Sequence, residues 1–223
     1  LTGFPEILNG RVKTLHPKVH APILFDRDDT VSIKELRKMG SKAIDLVVVN
    51  LYPFETILKS RASRKDIIDN IDIGGVALMR AAAKNFDHVT VISDPTDYIE
   101  LTKELTTFQG CTRQKTRKFF AGKAFSQTSY YDHLITKWLL SKEQVNRTKS
   151  RIFGGSSGET LKYGENPHQH ASYLTSNELE RKKRHFVKIL HGTLSYNNLI
   201  DTTAAYKILC ELEDYNKSSC VII

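Results

Sequence analysis

Two cations and a hydroxyl fall within four positions at Arg11-Val12-Lys13-Thr14, between Gly10 and Leu15-His16-Pro17. Arg11 and Lys13 alternate, so on an extended stretch both point to one face and make a pocket for phosphate or a polarised carbonyl. On composition alone, a solvated basic turn is the better account of them. A second constellation is Asp72-Ile73-Gly74-Gly75, followed by strong helix formers with Arg80 and Lys84. A glycine-opened helix presents free N–H groups and a positive dipole end, which is an anion site. Asp72 serves equally well there as a plain helix cap. Arg80 and Lys84 are like charges four apart, which costs about 0.2–0.5 kcal/mol in an isolated helix. An anionic ligand or a carboxylate would relieve that cost, and so would snorkelling into water. The third is Lys162-Tyr163-Gly164-Glu165-Asn166-Pro167-His168-Gln169, an ordered polar loop of the ligand-binding or ordinary-turn kind. His16 and His20 have a metal-ligand spacing, but no HExxH glutamate and no clear third ligand accompany them, so no metal is expected.

The elements that must position these residues alternate in type, which argues for an α/β fold. Residues 32–40 read as a helix with Ser32 as cap and Gly40 as stop. Leu46–Val49 reads as an interior parallel strand, broken at Pro53. Asn50 and Tyr52 then lie beyond its carboxyl end, where open α/β sheets bind ligands. Residues 63–70 form a helix opened by the pair Ser63 and Asp66. A helix over 71–85 and a strand over 88–93 follow, then Asp94 as a cap with Pro95 at the first helical position. Phe120, Ala124, Thr128, Tyr131, Ile135 and Trp138 recur at three and four, predicting a helix over about 112–140. Periodicity stops at 141–160, where glycines, serines and scattered charges read as a linker. Beyond it come a strand-like patch at 185–190, a helix from Thr202 and a terminal strand, Ser219–Ile223. A β-branched run at a free end would be an exposed edge, so the natural chain is expected to continue.

The 223 residues are 40% hydrophobic, enough for a core and against wholesale disorder. No apolar run approaches a membrane span, and no signal-peptide pattern is visible. The net charge of +8 favours anionic partners. Arg113, Lys115, Arg117, Lys118 and Lys123 on one helix, with the run Arg181–Arg184, raise nucleic acid as a partner. No zinc-finger spacing or RNP pattern accompanies them, so solvated faces are the better reading and nucleic acid is not expected. Cys111, Cys210 and Cys220 form neither a disulfide framework nor a CxxC site and read as reduced cytosolic thiols.

Five stretches, TGFPEILNGRVKTLHPKVH, DLVVVNLYPFE, IDIGGVALMRAAAKN, KYGENPHQ and LSYNNLIDT, resemble in sequence and order the family of bifunctional purine biosynthesis enzymes. That family joins IMP cyclohydrolase to AICAR formyltransferase. The resemblance implies a methylglyoxal synthase-like parallel sheet with flanking helices over 1–145, incomplete at its start. A linker over 146–160 and the beginning of a cytidine deaminase-like transformylase domain over 161–223 would follow. It implies formyl transfer from 10-formyltetrahydrofolate to AICAR, then cyclisation of the product, FAICAR, to IMP with loss of water. By the same resemblance Lys13, Tyr52, Asp72 and Lys84 are catalytic. Arg11, Thr14, Asn50, Ile73 and Gly74 line the cyclohydrolase site, and Lys162, Tyr163, His168 and Asn198 bind substrate in the transformylase. No metal and no cofactor are implied for cyclisation. The implied setting is a cytosolic homodimer, when complete, acting on AICAR, FAICAR and IMP, with no nucleic acid or membrane partner. Lys162 stands where the family has arginine, and Pro22 where it has glycine. The expected losses at both ends leave a catalytically incomplete fragment, with a structural or dimer-contact role, as the alternative.

Overall fold

The computed structural model describes residues 2–5, 7–145, 147–150, 160–173 and 192–213. The chain divides into two compact units, Leu1–Ile152 and Phe153–Ile223. The expected strands at 185–190 and 219–223, the basic run 181–184 and linker residues 151–159 lie outside the described residues.

Unit 1 is built on two parallel strands, β1 (Leu46–Val48) and β2 (Thr90–Ile92), in the register Leu46 to Thr90 and Val48 to Ile92. Thr90 donates to Asp45 O and Val49 to Ile92 O, extending the ladder at both ends. Side chains alternate across a strand. All three β2 residues are buried, whereas in β1 only Val47 is; Leu46 and Val48 are 39% and 47% exposed. The interior character expected of Leu46–Val49 therefore holds for the Val47 face of β1, whereas the face carrying Leu46 and Val48 is only partly covered.

Helices α1 (Pro17–Leu24) and α2 (Thr30–Lys38) precede β1. The crossover to β2 runs through α3 (Phe54–Lys59), α4 (Arg64–Asp69) and α5 (Gly74–Lys84). A parallel partner must begin at the same end of the sheet as the strand it joins. Because α5 ends just before β2 begins, its last turn lies at the amino end of the strands and its first turn toward their carboxyl end. Beyond β2, a 3-10 turn over Pro95–Asp97 leads into α6 (Tyr98–Thr107), and α7 spans Gln114–Leu139.

Three apolar clusters meet on α7. Ala121 and Ala124 join Val47, Val91, Ile23, Met79, Ala82 and Ala83; Phe120 joins Ile92 and Leu101; Tyr131 and Leu134 join Phe54 and Ile67. The predicted stripe is buried at Phe120, Ala124, Thr128 and Tyr131, and only half-buried at Ile135 and Trp138.

The local signals resolve unequally. Ser63 and Asp66 form a full capping box on α4. Asp94 accepts from Thr96 N as a cap. The cap of α2 is Asp29, which accepts from Val31 N and Ser32 N; Ser32 is inside the helix, its hydroxyl donating to Asp29. Short helix α8 (Lys142–Val145) occupies the opening of the stretch expected to be linker. In unit 2, α9 (Tyr196–Glu213) starts six residues before the predicted Thr202.

Several cations on α7 are held internally. Arg117 donates to the carbonyls of Phe86, Thr112 and Asp87, and Lys123 to Asp97 at 2.5 Å. Arg113 binds the buried Glu104 at 2.9 and 3.0 Å, and Thr116 Oγ1 donates to the same carboxylate at 2.7 Å. The hydrogen bonds from Arg113 hold the Glu104 carboxyl down at about 2, well below its ordinary 4.5. A depressed folded pKa adds stability that is complete above the ordinary value and disappears as pH falls through the folded one. Urea unfolding of the wild type is therefore expected to weaken between pH 4.5 and about 2, and Glu104→Gln should remove that part of the slope. Equal slopes in the two proteins would contradict this origin.

Candidate active site

The stretch from Gly10 to Thr14 is a turn and a bend. Leu8–Gly10 forms a 3-10 turn with Gly10 at φ 80°, and Arg11 closes it with helical dihedrals of −69° and −18°. Ile7 and Val12 make an antiparallel bridge. The alternation expected to put Arg11 and Lys13 on one face of an extended chain is therefore absent. Arg11 instead pairs with Asp69 at the end of α4, with both side chains exposed. Exposed pairs are worth about 0–1 kcal/mol, so an anionic ligand can take the place of Asp69 at little cost.

Thr14 carries the loop onto α5. A Cβ on Gly74 would stand 2.5 Å from Thr14 Oγ1, so the absence of a side chain there is what lets the loop dock. Immediately before, Asp72 Oδ1 accepts from Gly75 N at 2.7 Å. A Cβ on Gly75 would in turn lie 2.5 Å from Asp72 Oδ2. Ile73 is the cap residue of α5, and Asp72, one position before it, takes up one of the N–H groups of the expected anion site with Oδ1, in the manner of a cap. A carboxylate has about four acceptor positions, so one cap leaves capacity for a proton or a ligand.

Asn50 and Tyr52 follow the carboxyl end of β1. Leu51 between them packs in the cluster that also holds Ile71 and Val76, on either side of Asp72–Gly75. Tyr52 and Ile73 are 55% and 59% exposed, open to a ligand. Lys13 is exposed next to Thr14. Arg11, Lys13, Thr14, Asn50, Tyr52, Asp72, Ile73 and Gly74 thus belong to one end of the unit. Lys84 does not: it closes α5 roughly 15 Å along the axis from Gly74, at 1.5 Å per residue. Arg80, one turn before it, lies over the Phe125 ring at 5.3 Å, so an aromatic face accommodates the like-charge pair.

Two tyrosines at this end were not singled out as site residues from the sequence. Asn50 Nδ2 donates to Tyr98 Oη at 3.3 Å, and Asp72 N donates to Tyr131 Oη at 2.7 Å. Tyr98 had one available signal, its place just after the carboxyl end of the second strand. His16 Nδ1 accepts from Lys18 N as the cap of α1, so this nitrogen is not open to a metal shared with His20. Among the described residues the one group of three close metal donors is Asp26, Asp28 and His88, with His88 just before β2 at the amino end.

In unit 2 the two motifs meet. Lys162 N donates to Leu194 O at 3.0 Å and Tyr196 N to Tyr163 O at 3.4 Å. Lys162 Nζ lies over the Tyr163 ring at 5.8 Å. Gly164 N donates to Gln169 O, closing the loop that exposes His168. Asn198 Oδ1 accepts from Ser195 N and Oγ, and Asn198 N donates back to Ser195 Oγ. Asn198 is thereby part of the reciprocal cap that starts α9, and His168 is not joined to it by any described contact.

A family model described as AICARFT/IMPCHase bienzyme matches residues 82–223. The chain belongs to the AICARFT/IMPCHase bienzyme family. The MGS-like domain model matches residues 1–77, so the bienzyme chain opens with an MGS-like α/β domain containing a parallel sheet and helices. The two matches change over inside α5, whose Met79, Ala82 and Ala83 are core residues of unit 1. Similar relatives include the bifunctional purine biosynthesis protein PurH of Rhizobium leguminosarum bv. trifolii, 42% identical over 100% of this chain and 41% of its own length. PurH of Thermoanaerobacter sp. is 44% identical over 96% of this chain and 42% of its own. The chain thus spans about two fifths of the length of these relatives. Among solved structures, "Crystal structure of ForH" has a TM-score of 0.53 and 34% identity, over 63% of this chain and 73% of that one. No described helix is long and apolar enough to cross a membrane.

The glycines of the bienzyme motif yield a prediction. Gly75→Ala forces the Asp72 carboxylate off its cap, a loss of about 1 kcal/mol. Alanine in place of glycine returns up to about 1 kcal/mol of helix propensity. Urea unfolding should therefore find Gly75→Ala within about 1 kcal/mol of the wild type. A loss above about 3 kcal/mol would show that Asp72 cannot move aside.

Proposed function

We propose that unit 1 closes the purine ring, converting FAICAR to IMP and water. Unit 2 begins the half that transfers a formyl group from 10-formyltetrahydrofolate to AICAR. The observation that carries the first part is the contact of Thr14 with Gly74, which joins the Arg11–Thr14 bend to the helix start bearing Asp72. FAICAR holds nucleophile and electrophile in one molecule, so the main task is to fold it into a reactive conformer. The carboxamide nitrogen attacks the formyl carbon, a C–N bond forms, and negative charge develops on the formyl oxygen. Lys13 donates to that oxygen. Asp72 accepts the proton released by that nitrogen while the formyl oxygen takes one up; the resulting hydroxyl then leaves as water with the proton of the formamido nitrogen, as the C–O bond breaks and the ring C=N bond forms. Tyr52 orients the carboxamide. Thr14, Asn50, Ile73 and Gly74 line the cleft, and Arg11 exchanges Asp69 for an anionic group of the substrate.

This scheme uses no metal and no cofactor for cyclisation. In unit 2, the joined backbones at Lys162–Tyr163 and Leu194–Tyr196 support a shared acceptor site, with His168 and Asn198 as further substrate contacts. A cytosolic homodimer acting on small nucleotides, and not on nucleic acid or membranes, completes the reading.

Spectroscopic FAICAR cyclisation by the full-length polypeptide tests it. Lys13→Ala should lower kcat about 10²-fold, the effect of losing one oxyanion donor. An unchanged kcat in a folded variant would remove Lys13 from the chemistry. Lys84 was expected to act on the same step; at its distance from Gly74, any effect of Lys84→Ala should multiply independently with that of Lys13→Ala. Strong coupling between the two would show that Lys84 reaches the reacting atoms.

A further inference from the structure

We propose that Tyr131, in the middle of α7, is a positioning residue for ring closure, fixing the backbone on which Asp72 stands. The inference rests on the role for Asp72 argued above.

Tyr131 Oη accepts from Asp72 N at 2.7 Å and donates to Asn70 O at 3.2 Å. A phenol has one proton to give, and it goes to Asn70. Both partners belong to the short link between α4 and α5, 59 and 61 residues away in sequence. Neither group is bonded within a helix or strand, so without Tyr131 both lose their partner and the link keeps the bond from Ile71 N to Ile68 O, the packing of Ile71 and the Asp72 side chain's own contact. The Asp72 carboxylate is held separately, by Gly75 N at 2.7 Å. Main chain and side chain of one residue are thus pinned by two different elements, α7 and α5.

The ring is itself fixed. Tyr131 is 6% exposed and meets Phe54 edge to face at 5.8 Å, and Phe54 in turn meets Trp138 at 6.3 Å. Such packing restricts the ring and so aims the hydroxyl. Burial, with the Asp72 carboxylate nearby, pushes the Tyr131 phenol above its ordinary range. It therefore remains a neutral donor to Asn70 at working pH. An ordinary core tyrosine needs one partner for its hydroxyl. This one bridges the Asn70 carbonyl and the Asp72 amide, and so clamps the turn through Ile71 that leads into the residue carrying the proposed proton acceptor.

The test is Tyr131→Phe in the full-length polypeptide, alone and combined with Asp72→Asn, read by FAICAR cyclisation. Removing the hydroxyl should lower kcat about 10-fold or more, as expected when a reacting group is misplaced by a fraction of an ångström, with KM for FAICAR within about 2-fold. In the Asp72→Asn background the same change should have almost no further effect, because the residue it positions has already lost its function. A merely structural role would give equal fractional losses in both backgrounds, and that result overturns the proposal. So does a Tyr131→Phe protein with wild-type kcat while Asp72→Asn is inactive; that outcome leaves the role of Asp72 standing. Full activity of Asp72→Asn would instead sink that role and this inference together. Should Tyr131→Phe fail to fold, hydrogen exchange of the wild type decides: the Asp72 amide should be protected although it lies outside any helix or strand, and fast exchange there overturns the proposal.

Discussion

Three residues of parallel pairing between Leu46–Val48 and Thr90–Ile92 constrain the rest of unit 1. A parallel partner cannot be reached by a tight turn; the chain must cross back along the sheet. The crossover ends in α5, and its direction is thereby set. The first turn of α5, with Asp72 and Gly74, is delivered to the carboxyl ends of the strands, and its last turn, with Lys84, to the amino ends. Asn50 and Tyr52 leave β1 at the same end as Asp72. The loop carrying Arg11 to Thr14 is added by a contact that only a glycine at position 74 permits. The site is therefore a product of topology first and of side-chain chemistry second.

What was legible in the sequence follows the range of the interaction involved. The Ser63–Asp66 capping box is a three-residue event, and the residue types alone reveal it. The stripe of α7 is legible because one helix face meets the core along most of its length. The cap of α2 was misplaced because Asp29 and Ser32 are both good capping residues, and only geometry shows Asp29 accepting from Ser32. The start of α9 was set too late because its cap pairs Ser195 with Asn198 in place of the usual glutamate or glutamine. Tyr131 reads as one more apolar position in a stripe; its hydroxyl gains meaning from partners about sixty residues away. Asp72 and Lys84 share one sequence motif, yet helix rise alone sends them to opposite ends of a helix.

Charge shows the same dependence on structure. A surplus of +8 invites an anionic macromolecule as partner. At the start of α7 and along it, however, Arg113 is committed to Glu104, Lys123 to Asp97, and Arg117 to the carbonyls of Phe86 and Asp87, which approach β2, and of Thr112, which leads into α7. Those cations tie the connecting segments to the helix. Arg11 differs in kind: its pair with Asp69 is exposed and weakly held, so it remains exchangeable for a ligand. The cation proposed to meet the substrate thus differs from the structural ones in the cost of releasing it.

The central claim is that the nucleotide binds where the Thr14 loop meets the start of α5. A crystal structure of the full-length polypeptide with bound IMP measures this directly. The purine ring should lie against Thr14, Asp72 and Gly74, with Arg11 turned from Asp69 toward the nucleotide. Density for IMP beside Lys84 and His88 at the amino end of the strands, with the Asp72 end empty, would contradict it.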